Sequence, residues 1–230
     1  MPYKNQIKRL AEGACYHAYN RGHNRQQIFL DEQDYHTFLY ILKKYLDPDF
    51  REIKYLPNGE SVLVAINKPM YNKVELHAYC LMPNHFHLLV KQISRDGMSR
   101  LLNVVSSQYS AYFNNKYERE GTIWQGTYKA AFVKTEEQYL HLSRYIHLNP
   151  SLFMQIEQYP YSSYSVFIGK KKQPNWLRVE DISCHFASLQ KNSEESYRRF
   201  VEGYNKLDED RCTKETELIR PLMLDEEKEI

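Results

Sequence analysis

Two histidines one residue apart, His85 and His87 in LMPNHFHLLV, have a spacing that suits chemistry. Side chains alternate along a strand, so both imidazoles would project from one face and Phe86 from the other. Two imidazoles side by side make half of a site for a divalent ion, although two ordinary strand histidines look the same. A second group lies further on, in YLHLSRYIHLNP, where Tyr145 and Asn149 are four residues apart. On a helix they share one face, one turn apart. If that helix packs on the strand of the histidines, a phenol and an amide oxygen meet two imidazoles. Such a set leaves open positions on an ion such as Mg²⁺ or Mn²⁺, which polarises a phosphoryl oxygen while a nearby tyrosine attacks the phosphorus. Read locally, Tyr145 is equally a packing residue, one of twenty tyrosines.

The elements that must hold these residues follow from periodicity. Apolar runs on either side of Met82-Pro83-Asn84 predict a hairpin over 74–92. Alternation in CYHAYN predicts a strand over 15–20, closing on Arg21-Gly22-His23-Asn24-Arg25, a turn able to hold phosphate or simply to be solvated. Asp31 caps a predicted helix over 32–46, residues 47–61 are turn-rich, and 61–66 reads as an edge or inserted strand. A long amphipathic helix is expected over 98–117, its far face lined by Asn103, Ser106, Ser107, Ser110 and Asn114, which reads first as a plain solvated face and otherwise as one small enough to meet another subunit or a ligand. Short strands are expected in 121–126 and 128–133. A capping box at Thr135 and Gln138 opens the helix carrying Tyr145, which Pro150 ends.

Composition bounds the rest. The chain has 230 residues, 42% hydrophobic and 26% charged, with 8 Gly and 9 Pro, which fits a globular protein without low-complexity segments. No apolar run reaches membrane-spanning length and residues 1–15 lack a signal-peptide core, so a cytoplasmic location is expected. Cys15, Cys80, Cys184 and Cys212 form no C-x-x-C pair, which argues against a zinc knuckle or a disulfide framework. Net charge is +2, but residues 208–230 hold nine acidic and four basic side chains, leaving a mildly basic body. That distribution is compatible with a polyanion partner. Twenty tyrosines either pack a core or offer stacking surfaces to bases.

The motifs YHAYNRGHNRQQIF, DEQDYHTFL, LMPNHFHLLV, SAYFNNKYEREGTIWQGTYKA and YLHLSRYIHLNP, in this order over about residues 13–150, resemble the HUH single-tyrosine transposases. The resemblance is specifically to the REP-associated tyrosine transposase branch, relatives of the insertion-sequence 200 type; YPYSSYSVFIG also looks like that branch's C-terminal region. It implies an α+β fold: a ferredoxin-like or RRM-like antiparallel sheet backed by helices. It also implies a metal-dependent endonuclease and strand transferase acting on single-stranded DNA beside a hairpin, with Mg²⁺ or Mn²⁺ as cofactor. Carried onto this sequence, His85, His87 and Asn149 are the metal ligands and Tyr145 the nucleophile that forms a 5′-phosphotyrosine. Asn20, Arg21, Arg25, Lys129 and Lys134 are candidates for DNA backbone contacts. Residues 1–150 are expected to form the nuclease domain, 151–207 a helical extension and 208–230 an acidic, mobile tail. Relatives include monomers and dimers that share active sites, so a homodimer is possible. Thr127 stands where family members often have Arg, and Ser151-Leu152 where they have Val-Arg. The first removes an expected phosphate contact; neither touches the metal or nucleophile positions. Two alternatives stay open: a domesticated nuclease that cuts repeat hairpins, and a non-catalytic RRM-like module that stacks bases on its sheet.

Overall fold

The computed structural model describes residues 10–187, 192–204 and 209–224. Its centre is one antiparallel sheet of four strands: β1 (Cys15–Arg21), β4 (Val74–Met82), β5 (His85–Gln92) and β6 (Lys129–Phe132), in the order β4-β5-β1-β6. Helix α1 (Glu32–Leu46) follows β1 and α2 (Gly97–Lys116) follows β5. Setting aside a hairpin of β2 (Arg51–Tyr55) and β3 (Ser61–Ala65), the chain runs β-α-β-β-α-β, the ferredoxin-like arrangement. The sequence marks β3 but not β2, because Asp47-Pro48 and Pro57-Asn58-Gly59 dominate that stretch. In the structure Ile53 pairs with Leu63 across a turn in which Gly59 has φ of 86°.

The alternation that puts Phe86 and His87 on opposite faces runs the length of the sheet. On one face Tyr16, Ala18, Leu76, Phe86, Leu88 and Val90 pack against α1 and α2 through residues such as Phe38, Leu42, Leu101 and Tyr109. Asp31 and Asp34 form a capping box at the start of α1, and Lys116 Nζ, 2.8 Å from the buried Asp34 carboxylate, ties that end to α2. On the other face Ala78, Cys80, Leu89 and Ala131 lie under α3 (Glu136–Leu148), with α4 (Tyr164–Phe167), α5 (Glu180–Ala187) and α6 (Ser193–Glu202) joining the same cluster. Strands buried on both faces explain why β4 reads as an almost unbroken apolar run. Eleven of the twenty tyrosines are therefore core: Tyr16, Tyr19, Tyr35, Tyr45, Tyr79, Tyr109, Tyr128, Tyr139, Tyr159, Tyr164 and Tyr197 are all buried.

Three expectations need correction. Residues 121–126 form no named strand; only an isolated bridge joins Gly22 to Trp124. The small face of α2 is covered in part from within the chain, since Trp124 Nε1 donates to Ser110 Oγ at 2.9 Å and Asn114 Nδ2 donates to the Gly121 carbonyl at 2.8 Å, while Asn103 and Ser107 stay exposed. Small residues there make room for an indole. Finally, the acidic stretch expected to be a mobile tail contains α7 (Glu209–Ile219), followed by buried Leu222, Met223 and Leu224. Leu222 from this stretch joins the sheet's second core; residues 208 and 225–230 lie outside the described residues. No helix among the described residues is long and apolar enough to cross a membrane.

Candidate metal and nucleophile site

The hairpin joining β4 to β5 turns at Pro83-Asn84, and both turn carbonyls are held by the segment after β1. Pro83 O accepts from the Ile28 and Phe29 amides at 2.8 and 3.0 Å, and Asn84 O accepts from the Gly22 amide at 2.8 Å. Gly22 has no room for a side chain, because a Cβ there would sit 2.1 Å from the Gln26 carbonyl oxygen. Gly22→Ala is expected to cost about 1–3 kcal/mol and loosen the histidine turn, checked by urea melts; an unchanged midpoint would show that the 22–26 loop yields freely.

From that turn His85 and His87 extend on the α3 side, their rings 4.7 Å apart and mutually perpendicular. His85 Nδ1 lies 2.6 Å from Asn84 Oδ1, an oxygen that can only accept, so Nδ1 carries the proton and Nε2 the lone pair. The Asn84 amide is oriented by its Nδ2, which donates to the Arg25 carbonyl at 3.3 Å. His87 Nδ1 lies 2.8 Å from Nε2 of His17 on β1. Burial lowers the pKa of His85 to about 4, with Arg21 adding to the effect and Asn149 opposing it. Burial, followed by the neighbouring His85 and His17 rings, holds His87 well below its ordinary value. Both are neutral near pH 7, the protonation state a metal ligand needs.

Helix α3 brings the other half. Thr135 accepts from the Gln138 amide as N-cap, and Tyr139, Leu142 and Ile146 bury one side against the sheet. Tyr145 then falls with its ring edge-on to His87, centroids 5.5 Å apart, and 5.9 Å from that of His17. Its hydroxyl is buried and makes no hydrogen bond. Asn149, at the helix end, donates Nδ2 to the Tyr145 carbonyl at 2.9 Å, and its side chain also interacts with both His85 and His87. The structure thus brings His85, His87, Tyr145 and Asn149 together. Two imidazole nitrogens and an amide oxygen suit a divalent ion that keeps open positions.

The DNA-contact candidates separate. Arg21 pairs with His85 across the β1–β5 ladder, its Nε donating to Gln125 Oε1. Arg25 is exposed in the adjoining turn with φ of 59°, and Lys129 faces the Tyr19 ring at 6.0 Å on β6. Asn20 is buried and committed: Nδ2 donates to the Gly126 carbonyl at 3.0 Å and Oδ1 accepts from the Arg21 amide. It holds the 124–127 turn rather than presenting itself to a strand of DNA. Lys134 lies beyond the other end of β6, near Cys15 and His77, away from the histidine pair.

Sequence reasoning missed two groups. His17 is one; its partner lies seventy residues away, with no local signal. The other is Glu75, His77 and Asp181, whose ligand atoms lie within 4.8 Å of one another. A β-bulge between Leu76 and Ala78 re-aims His77 onto the α3 face, where Nδ1 meets the Tyr139 hydroxyl. Lys91 Nζ stands 3.6 Å from both carboxylates and already supplies a cation there, so this cluster is an ion-pair network separate from the histidine pair.

Buried neutral histidines also set a pH dependence. Burial lowers His17 to about 4 and His147, between Tyr197 and Ser163, to about 3, from an ordinary 6.5. On acidification the unfolded chain takes up these protons first, so stability is full above about pH 7 and falls from 6.5 down through 4 to 3. Thermal melts are expected to decline already between about pH 7 and 5, above the ordinary carboxylate range; a flat profile there would contradict this.

No curated protein matches the chain. A solved structure described as "Structure of the REP associates tyrosine transposase bound to a REP hairpin" aligns with a TM-score of 0.49 at 17% identity, covering 74% of this chain and 88% of that one. Residues 63–149 match the model of the family described as "Transposase IS200 like". The hairpin with its paired imidazoles and the helix with its tyrosine lie inside that segment.

Proposed function

We propose that this protein is a metal-dependent endonuclease and strand transferase for single-stranded DNA, acting beside hairpins through a covalent bond between Tyr145 and a 5′-phosphate. The observation that carries this is the Tyr145 hydroxyl, buried without a hydrogen bond next to two neutral imidazoles and Asn149. An unsatisfied buried hydroxyl costs about 1–3 kcal/mol, and here it lies beside the histidine pair. His85, His87 and Asn149 would hold Mg²⁺ or Mn²⁺, which when bound neutralises and polarises the scissile phosphate. Arg21, next to His85 in the sheet, and the exposed Arg25 would steady the strand on either side.

In the cleavage step Tyr145 Oη forms a bond to phosphorus as the bond from phosphorus to the 3′ oxygen breaks. The phenol loses its proton and the departing 3′ oxygen gains one. The phosphotyrosine conserves the energy of the broken ester, so attack by a 3′-hydroxyl rejoins strands and releases Tyr145 without a nucleotide cofactor. A cytoplasmic location belongs to the same proposal, and a domesticated nuclease would use the same steps, differing only in its flanking DNA. A non-catalytic base-stacking module needs several exposed aromatics on a sheet face, whereas here helices cover both faces, Tyr16, Tyr19, Tyr79 and Phe86 are buried, and Phe132 on the edge strand β6 is the one exposed aromatic among the described strands of this sheet.

The test is incubation with labelled hairpin oligonucleotides and Mn²⁺, followed by a denaturing gel and peptide mass mapping. A covalent adduct on Tyr145 that disappears with chelator is expected. Cleavage without an adduct, or with chelator present, would overturn the mechanism.

A further inference from the structure

We infer that His17 on β1 and the carbonyl of Leu222, beyond α7, form a positioning relay that decides which nitrogen of His87 faces the site. The inference rests on His87 being a metal ligand. It comes from following protons through two short contacts. A carbonyl can only accept, so the 2.6 Å contact between Leu222 O and His17 Nδ1 places a proton on that nitrogen. His17 is fully buried and its described contacts are that carbonyl, His87 and the rings of Tyr19 and Tyr145, with no carboxylate to support a second proton. Its Nε2 is therefore a lone pair, and the 2.8 Å contact with His87 is a hydrogen bond donated by His87 Nδ1. With Nδ1–H fixed, His87 keeps its lone pair on Nε2. The two rings lie near one plane, 17° apart with centroids 5.0 Å apart, which aligns the nitrogens for that bond.

The two imidazoles of the pair reach the same tautomer by different routes. His85 is set by its own neighbour, Asn84, in the turn. His87 is set by a relay whose far end lies 205 residues from His17, in the segment where Leu222, Met223 and Leu224 are buried. Without an acceptor at His17, His87 could carry its proton on Nε2 and present N–H instead of a lone pair. Outer partners of metal-bound histidines commonly work in this way. Helix α7 and the residues after it thus belong to the metal site without touching it.

The experiment combines nitrogen NMR of the whole metal-free protein with Mn²⁺ titration. Both His17 and His87 are expected as neutral Nδ1–H tautomers, with scalar coupling between His87 Nδ1 and His17 Nε2 across their hydrogen bond. An Nε2–H tautomer on His87 overturns the relay, and this measurement needs no variant. His17→Phe, which keeps a buried ring but no acceptor, is expected to weaken Mn²⁺ binding about 10–100-fold. His17→Gln restores an acceptor and should recover most of it; a folded Gln variant as weak as Phe would count against the relay. His87→Ala separates the two levels. If it binds Mn²⁺ like the wild type, the ligand assignment itself fails; if it loses binding while His17→Phe stays within about twofold of wild type, only the relay fails.

Discussion

Tyr145→Phe is expected to abolish the covalent protein–DNA adduct and to lower strand cleavage by on the order of 10⁴-fold or more, because the attacking atom itself is removed. The same substitution should leave the fold intact and raise its stability. The hydroxyl is buried without a hydrogen bond, so deleting it relieves an unsatisfied group worth up to about 1–3 kcal/mol while the ring keeps its contacts with His87 and His17. Activity lost together with stability gained marks a residue kept for chemistry. A packing tyrosine gives the reverse, and a phenylalanine variant that still forms the adduct would remove Tyr145 from the mechanism. The paired readout is an adduct gel beside a thermal melt.

His85→Ala is expected to weaken Mn²⁺ binding more than about 100-fold and to stop cleavage, while hairpin binding stays within a fewfold of wild type. His85 is the better of the pair to change. It lies at the turn, half-buried, whereas His87 is fully buried and its removal also strands the Nε2 of His17. Arg21 and Arg25, the proposed phosphate contacts, lie on β1 and the turn after it and remain in place. Calorimetry with Mn²⁺ and a filter-binding assay with the oligonucleotide separate the two effects. Equal loss of both would mean that His85 holds the turn and not an ion.

Much of this site could be read from short-range pattern. Period-two alternation put Phe86 opposite His85 and His87, and a three-to-four-residue period put Tyr145 above Asn149 with Leu142 and Ile146 on the sheet side. The start of α1 followed from Asp31, whose capping box is present. What escaped has a common cause: its partners are distant, or one residue breaks a period. Nothing near His17 announces Leu222, and nothing near His77 announces the bulge that turns it toward Tyr139. Asn20 is a polar residue near a strand end, a candidate for phosphate by sequence, and only the tertiary fold brings the Gly126 carbonyl within reach of its amide. Helix α7 was masked by its own charge, because Ile219 and Leu222–Leu224 cluster too tightly to set a period.

The contact between His17 and Leu222 also bears on synthesis. Along the chain the parts of the site emerge in the order His17, His85, His87, Tyr145, Asn149 and finally Leu222. A chain stopped short of residue 222 would possess the proposed nucleophile and the three proposed ligands while lacking the carbonyl at the end of the relay. On the proposed mechanism, a product cut off before Leu222 is expected to be a poor nuclease even with its sheet complete.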